Sequence, residues 1–313
     1  MDQFAIDVDK GLSSNPKYLH SKYFYDKKGD KIFQKIMSLD EYYLTGSEFE
    51  ILEKYKDPLL QHIISGTKNF ELVEFGAGDG LKTKILLGYF LDRQVTFKYL
   101  PIDISKNALN GLMQDLDATY PTLDGHAIND DYFRALHNLR GDQIRKVVMF
   151  LGSNIGNFTP TKALEFLQNM HKELNSGDYL LIGIDLKKDP EIILRAYNDS
   201  QGVTKQFNLN LLERINEELG ANFDLNNFHH APRYDPDRGA ALSYLVSAKD
   251  QTIDIAAIGK SFEFRKYEKI ATEISQKYSI PEIEALATSA GFEVVEHFLD
   301  SRGYFVDTLW TIK

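Results

Sequence analysis

The stretch Leu72-Val73-Glu74-Phe75-Gly76-Ala77-Gly78-Asp79-Gly80 decides the fold. It reads as a buried strand running into a glycine turn, with a helix beginning near Leu81. Glycine takes positive φ at little cost and leaves the backbone open to a ligand. A second apolar run, Phe97-Lys98-Tyr99-Leu100-Pro101-Ile102, ends on Asp103. One glycine-rich and one acidic strand end suit a ribose-bearing ligand at the carboxyl edge of a parallel sheet. Taken alone, G-x-G-x-G is also an ordinary tight connection. Asp103 is also a helix N-terminal acid, and Ser105 is an equal candidate to cap that helix. Gly76 and Asp103 are 27 positions apart, more than the roughly 20 expected of an acid that reads a nicotinamide ribose.

Working outward, strands are expected at 70–76, 95–103, 124–128, 146–152 and 178–185. Helices at about 81–92, 105–119, 131–139 and 160–174 separate them. Such alternation implies a parallel sheet with helices on both faces. A helix over about Gly46 to Ser65 precedes the alternation, with Phe49, Leu52, Tyr55, Leu59 and Ile63 at helical spacing and a kink or restart expected at Pro58. The pattern breaks between about 187 and 277. There helical text (Asp189 to Tyr197, Asn208 to Leu219) is followed by strands at 241–248, 251–257 and 261–265, an inserted α+β segment. The end returns to the first pattern, with a helix over about 281–291 and a hairpin of 293–299 and 303–312 turning near Gly303. A parallel sheet closed by an antiparallel hairpin differs from the six-stranded dinucleotide fold. It matches the seven-stranded, Rossmann-like α/β sheet of class I S-adenosylmethionine-dependent methyltransferases. The expected division is 47–186 with 278–313 as the sheet domain, and 1–46 with 187–277 as the domain that takes the substrate.

Composition narrows the classes. The 313 residues carry a net charge of −10 and are 43% hydrophobic and 26% charged, ordinary for a globular protein. The acidic balance disfavours nonspecific binding to nucleic acid or anionic lipid. No apolar run approaches a membrane span. The opening residues MDQFAIDVDKG do not resemble a secretory signal. The absence of cysteine excludes disulfides and thiolate chemistry and fits a cytoplasmic location. The adjacent pair His229-His230 points apart on regular structure and no H-E-x-x-H occurs, so no metal site is expected.

Several polar residues stand at strand ends or outside the alternation. Asp130-Asp131 precede Tyr132; one acid suits an adenine amino group with Tyr132 against the ring, while helix capping by Asp130 is the simpler reading. The run Phe150-Leu151-Gly152-Ser153-Asn154-Ile155-Gly156-Asn157-Phe158 ends the fourth strand, and Asn157 both donates and accepts, as a zwitterionic amino acid requires. A loop asparagine serving its own backbone is the alternative. Tyr25, Tyr42 and Tyr197 are phenols from outside the sheet text. Glu273 lies in Thr272-Glu273-Ile274-Ser275, which reads as a helix cap or a surface face.

In their shared order, the motifs Tyr23-Phe24-Tyr25-Asp26, Glu41-Tyr42-Tyr43-Leu44-Thr45, Leu72 to Gly78, Phe150 to Asn157, Ala196-Tyr197-Asn198-Asp199 and Thr272 to Ser275 resemble the histidine Nα-methyltransferases of ergothioneine biosynthesis. The resemblance covers nearly the whole chain. It implies S-adenosylmethionine as cofactor, S-adenosylhomocysteine as its product, and conversion of L-histidine to trimethylhistidine (hercynine). It places Gly76, Lys82, Asp103, Asp131, Tyr132 and Tyr25 at the cofactor. Tyr42, Asn157 and Tyr197 would hold the substrate's amino and carboxylate groups, with Tyr25, Tyr42 and Asn157 serving the transfer. Glu273 and Ser275 would read the imidazole. Ser243 stands where the family's histidine enzymes place a methionine, which leaves more room and adds a hydroxyl. Asn154 replaces the family's usual threonine. The wider group includes enzymes of a tryptophan-derived amine, so another aromatic amino acid or amine is the alternative substrate. A non-catalytic S-adenosylmethionine or amino-acid sensor is the alternative class. A small-molecule substrate, no nucleic-acid or membrane partner and a monomer are expected.

Overall fold

The computed structural model describes residues 2–78, 80–103, 105–140 and 144–312; Asp79 of the glycine turn lies outside them. In chain order, α1 (Gln3–Ser13) and β1 (Lys17–Tyr18) precede a 3-10 turn over Ser21–Phe24, then α2 (Lys27–Met37) and α3 (Tyr43–Ile64). Next come β2 (Asn69–Phe75), α4 (Thr83–Asp92), β3 (Thr96–Ile102), α5 (Lys106–Thr119), α6 (Tyr132–Leu139), β4 (Arg145–Phe150), α7 (Pro160–Glu173) and β5 (Tyr179–Asp185). The insertion supplies α8 (Pro190–Ala196), α9 (Val203–Leu219), β6 (Phe228–His230), β7 (Arg233–Asp235), β8 (Ala240–Ser247), β9 (Gln251–Ile255), β10 (Lys260–Phe264) and β11 (Lys269–Gln276). The chain closes with α10 (Ile280–Ala290), β12 (Glu293–Leu299) and β13 (Phe305–Thr311). The chain divides into two compact units, Leu44–Lys187 with Tyr278–Lys313 (the sheet unit) and Met1–Tyr43 with Lys188–Lys277 (the inserted unit).

The sheet unit is a mainly parallel sheet closed by an antiparallel hairpin, as its sequence leads one to expect. Its strands run in the order β12-β13-β5-β4-β2-β3. β3, β2, β4 and β5 are parallel, and β13 returns antiparallel between β5 and β12. The expected strand at 124–128 is present only as two parallel bridges, Tyr99 to Gly125 and Ile102 to Ile128, on the open edge of β3. Backbone hydrogen bonds from Tyr99 N to Asp124 O and from Ile128 N to Pro101 O, both 2.9 Å, seat it in the seventh strand position. Strands buried on both faces read as continuous apolar text, and β2 and β4 carry buried residues at nearly every position. Trp310, Ile182, Val148, Val73 and Leu136 belong to one core. The helix over 43–64 passes through Pro58 as one element. Pro58 is exposed, so the carbonyl it leaves without an N–H donor faces water.

The inserted unit is built on a sheet in which β11 pairs antiparallel with β8 and parallel with β1, and β8 also pairs with β6 and β7. β9 and β10 form a separate hairpin. Phe24, Phe207, Leu211, Phe228, Leu245 and Ile270 pack in its core. β11 is a strand where the sequence reads a cap or surface face. A bulge between Ala271 and Glu273 breaks its register with β8 and sets Glu273 opposite Ser243; bulges of this kind re-aim side chains.

Candidate active site

In the sheet unit, the functional groups collect after the carboxyl ends of β2, β3 and β4. Gly76, Gly78 and Gly80 all take positive φ (66°, 58° and 65°). A Cβ on Gly76 would lie 2.9 Å from the Tyr132 hydroxyl, and one on Gly80 would lie 2.5 Å from Leu112. The turn therefore needs glycine for both conformation and space. Tyr132 stacks on Phe75 with ring centroids 4.5 Å apart and planes 7° apart. Desolvation, then the charges of Asp103 and Asp131, raise its phenol above the ordinary value, so it stays a neutral donor.

The acids are sorted by geometry. Ser105, not Asp103, caps α5 by accepting from Ala108 N at 3.3 Å. Asp103 accepts from Ser105 N at 2.8 Å, which holds its carboxylate at the end of β3. Asp131 caps α6 by accepting from Phe133 N (3.0 Å) and Arg134 N (3.3 Å). Asp130, the expected cap, instead accepts from Asp131 N at 2.8 Å and pairs with Arg134 at 2.7 Å.

Lys82 lies at the start of α4 and forms an ion pair with Glu48 of α3. Glu48 is 1% exposed, and its other oxygen accepts from Gly152 N at 2.7 Å. One carboxylate thus ties the residue after the glycine turn to the loop after β4. Burial opposes charge on Lys82, but the Glu48 carboxylate overcomes it and holds the ammonium above its ordinary pKa. Asp307 of β13 sits beside Glu48; burial, then the Glu48 charge, push its carboxyl well above the usual range. Gly183 makes room for these acids, since a Cβ there would collide with Glu48. Asn157 closes the 3-10 turn after β4 and is exposed. In the same loop, Gly152 and Ser153 take φ of 74° and 55°.

In the inserted unit, a polar cluster forms on β11 and β8. Ser243 donates to Glu273 at 3.1 Å. Desolvation raises the Glu273 carboxyl, while Ser243 and the charge of Lys277 oppose it. Two residues on, Ser275 Oγ lies 2.8 Å from the Tyr197 hydroxyl. Lys277 Nζ donates to both, at 2.7 Å to Tyr197 and 2.8 Å to Ser275, and lies 4.7 Å from the Tyr197 ring centre. Thr272 faces the other way, donating to Asn208 of α9 at 2.8 Å. Tyr25 follows the 3-10 turn, edge-on to Phe33 and Phe207 at 5.4 and 5.6 Å. Tyr25 is nearly half exposed, so desolvation, then the charges of Glu273 and Tyr197, raise its phenol less than full burial would. Tyr42 packs edge-on to Phe33 at 6.3 Å.

Each unit therefore gathers its own part of the expected set. Tyr25, Tyr197, Ser243, Glu273 and Ser275 lie within hydrogen-bond or electrostatic reach of one another, with Tyr42 on the adjoining aromatic cluster. Gly76, Lys82, Asp103, Asp131 and Tyr132 lie at the sheet's carboxyl edge, with Asn157 after β4. Sequence reasoning missed Lys277, Glu48 and Asp307. Lys277 had a signal: it continues the period-two series Glu273, Ser275, which is visible once 269–276 is read as a strand.

The model of the family described as "Histidine-specific methyltransferase, SAM-dependent" matches residues 4–312. The chain belongs to this family. It is 35% identical to the histidine N-alpha-methyltransferase of Mycolicibacterium smegmatis, over 96% of this chain and 92% of the relative. It is 31% identical to ergothioneine biosynthesis protein 1 of Schizosaccharomyces pombe, over 90% of this chain and 37% of that longer relative. Among solved structures it is similar to the CcbJ methyltransferase of Streptomyces caelestis, with a TM-score of 0.47 and 11% identity over 84% of this chain and 96% of that one. Family membership makes the chain an S-adenosylmethionine-dependent methyltransferase. Among the described residues no helix is long and apolar enough to cross a membrane.

Proposed function

We propose that this chain transfers methyl groups from S-adenosylmethionine to the α-amino nitrogen of L-histidine, giving trimethylhistidine (hercynine) and S-adenosylhomocysteine. The observation that carries the substrate assignment is the pairing of Glu273 and Ser275 on one face of β11, an acceptor and a hydroxyl two residues apart, beside the phenol of Tyr197. A desolvated carboxylate is costly unless it is paired. An imidazole N–H satisfies it and an aliphatic side chain does not, so a ring lacking that donor is rejected.

The sheet unit fits the cofactor. The Gly76 turn leaves no side chain between backbone and ligand, Asp103 supplies acceptors for ribose hydroxyls, Asp131 and Tyr132 flank an adenine, and Lys82 supplies a cation. The bound cofactor supplies an electrophilic methyl carbon on a sulfonium. Of the groups assigned to the substrate's amino and carboxylate ends, Tyr42 and Tyr197 lie in the inserted unit, Tyr197 with its phenolic proton on Ser275 and therefore an acceptor for the amino N–H, and Asn157 lies in the sheet unit; alignment of the nitrogen lone pair with that carbon to about 3–3.5 Å supplies much of the rate. The amine must first lose a proton, since a reference α-amino group titrates near 8. The raised phenol of Tyr25 remains protonated at neutral pH. Its role is then to accept a hydrogen bond from the departing N–H and hand the proton to solvent, not to serve as an ionised base. The quaternary product retains no N–H, and the aromatic faces of Tyr25 and Tyr42 suit such a cation.

A second reading keeps the chemistry and changes the ring. Ser243 supports it: its hydroxyl occupies one oxygen of Glu273 at 3.1 Å, and its small side chain leaves space for a larger aromatic group. Incubation with labelled cofactor and a panel of aromatic amino acids, followed by product mass, tests both. Histidine gaining three methyls supports the first reading; preference for a tryptophan-like amine supports the second; no transfer to any amine refutes both.

A further inference from the structure

Lys277 is fully buried, and its ammonium donates to two hydroxyls that also touch each other. The contacts within this triad assign its protons. A serine hydroxyl has one O–H and two lone pairs. One Ser275 lone pair takes an N–H of Lys277. The Tyr197 oxygen also takes a Lys277 N–H, and its phenolic proton is the more acidic of the two hydroxyl protons. The 2.8 Å contact is therefore Tyr197 donating to Ser275. Both Ser275 lone pairs are then filled, and only its O–H is left to face a ligand. Two positions earlier on the same strand, Glu273 presents acceptors.

Resting on the reading of histidine as substrate, we propose that Lys277 is a positioning residue that locks Ser275 as a hydrogen-bond donor, so that the site takes the neutral imidazole, one N–H to Glu273 and one bare nitrogen from Ser275, and rejects the imidazolium. The charge balance acts in the same direction. Glu273 by itself attracts a cationic ring, and the Lys277 ammonium, just past the end of β11, opposes that attraction. Among the described residues, the other titratable groups acting here are Tyr197 at the end of α8 and Tyr25 after the 3-10 turn, with Asp30 of α2 acting on Tyr25; Ser243 of β8 contributes a neutral hydroxyl.

The test is the affinity of the full-length protein for L-histidine, measured by calorimetry with S-adenosylhomocysteine present so that no methyl is transferred. With an imidazole pKa near 6.5, lowering pH from 7.5 to 5.5 should weaken binding to the native protein about tenfold. In Lys277→Met that ratio should fall below about threefold or reverse, because Ser275 is free to accept and the cation is gone. Lys277→Arg, which keeps the charge and donors, should retain the native ratio. Removing the Lys277 charge also lets the Glu273 carboxyl rise further, which weakens acid-end binding in Lys277→Met and works against the expected fall in the ratio, whereas Lys277→Arg keeps that charge. Ser275→Ala supplies an independent arm should Lys277→Met not fold: loss of affinity confined to pH 7.5 supports a donor serine, and loss confined to pH 5.5 overturns it. A Lys277→Met ratio equal to the native one also overturns the inference. Native protein that binds other aromatic amino acids but not histidine at any pH defeats the substrate reading itself, and this inference with it.

Discussion

Replacing Glu48 with glutamine separates the role of this carboxylate in folding from its role at the cofactor. Glu48 serves two donors at once, Gly152 N at 2.7 Å and the Lys82 ammonium. A glutamine has one carbonyl oxygen and must turn its NH2 toward the other donor. Gly152 is backbone and stays; Lys82 is a flexible side chain and can swing away. The glutamine should therefore keep the Gly152 bond and lose Lys82. If Lys82 gives the cofactor one charge-assisted hydrogen bond, misplacing it removes about 1.5–3 kcal/mol, so affinity for S-adenosylhomocysteine should fall about 10- to 150-fold. Calorimetric titration measures this, with a thermal scan alongside to show that the variant is folded. In a Lys82→Met background the same change should add little, because its effect runs through Lys82. A folded Glu48→Gln protein with native cofactor affinity would refute the reasoning. So would a full additional loss in the Lys82→Met background.

Glu273→Ala should abolish the preference for histidine over other aromatic amino acids while leaving affinity for S-adenosylhomocysteine unchanged; calorimetry with both ligands checks it, and native histidine affinity in the variant removes the specificity role. Gly76→Ala forces a side chain into a positive-φ position with its Cβ 2.9 Å from the Tyr132 hydroxyl, at a conformational cost of about 1–2 kcal/mol, so both cofactor affinity and Tm should drop. Asp307→Asn removes a carboxyl whose pKa is raised in the folded state. Such a group costs nothing when both states are protonated and destabilises increasingly as pH rises from its unfolded value, about 3.9, so the variant's Tm advantage should be near zero at pH 4 and grow toward pH 8.

The parallel half of the fold was legible because its strands are buried on both faces and so appear as unbroken apolar runs punctuated by glycine and acid. β2, β3, β4 and β5 fall within a residue or two of their expected bounds. The segment at 124–128 reads as a strand but forms only two bridges; lying outside β3, it has a neighbour on one side only. The short helices near the N-terminus and β6, β7 and β11 were not anticipated. α2 is amphipathic, but lysine and aspartate fill its first turns (Lys27-Lys28-Gly29-Asp30-Lys31) and mask the period.

β11 shows why half of the site was hidden. Its sequence Lys269-Ile270-Ala271-Thr272-Glu273-Ile274-Ser275-Gln276 is polar on both faces for different reasons. Thr272 turns inward to bond Asn208, while Glu273 and Ser275 turn to the polar cluster. A strand whose outward and inward residues are both hydrogen-bonded has no apolar alternation to detect. Its meaning appears only when partners distant in sequence are present, Ser275 with Tyr197 across 78 positions and Glu273 with Ser243 across 30. The same holds for Glu48, whose partners Lys82 and Gly152 lie 34 and 104 positions away. Motifs recognise residues meant to touch a ligand. The carboxylate and ammonium that set the polarity and position of those residues are bonded to other protein groups, so their roles emerge from counting donors and acceptors in the folded chain.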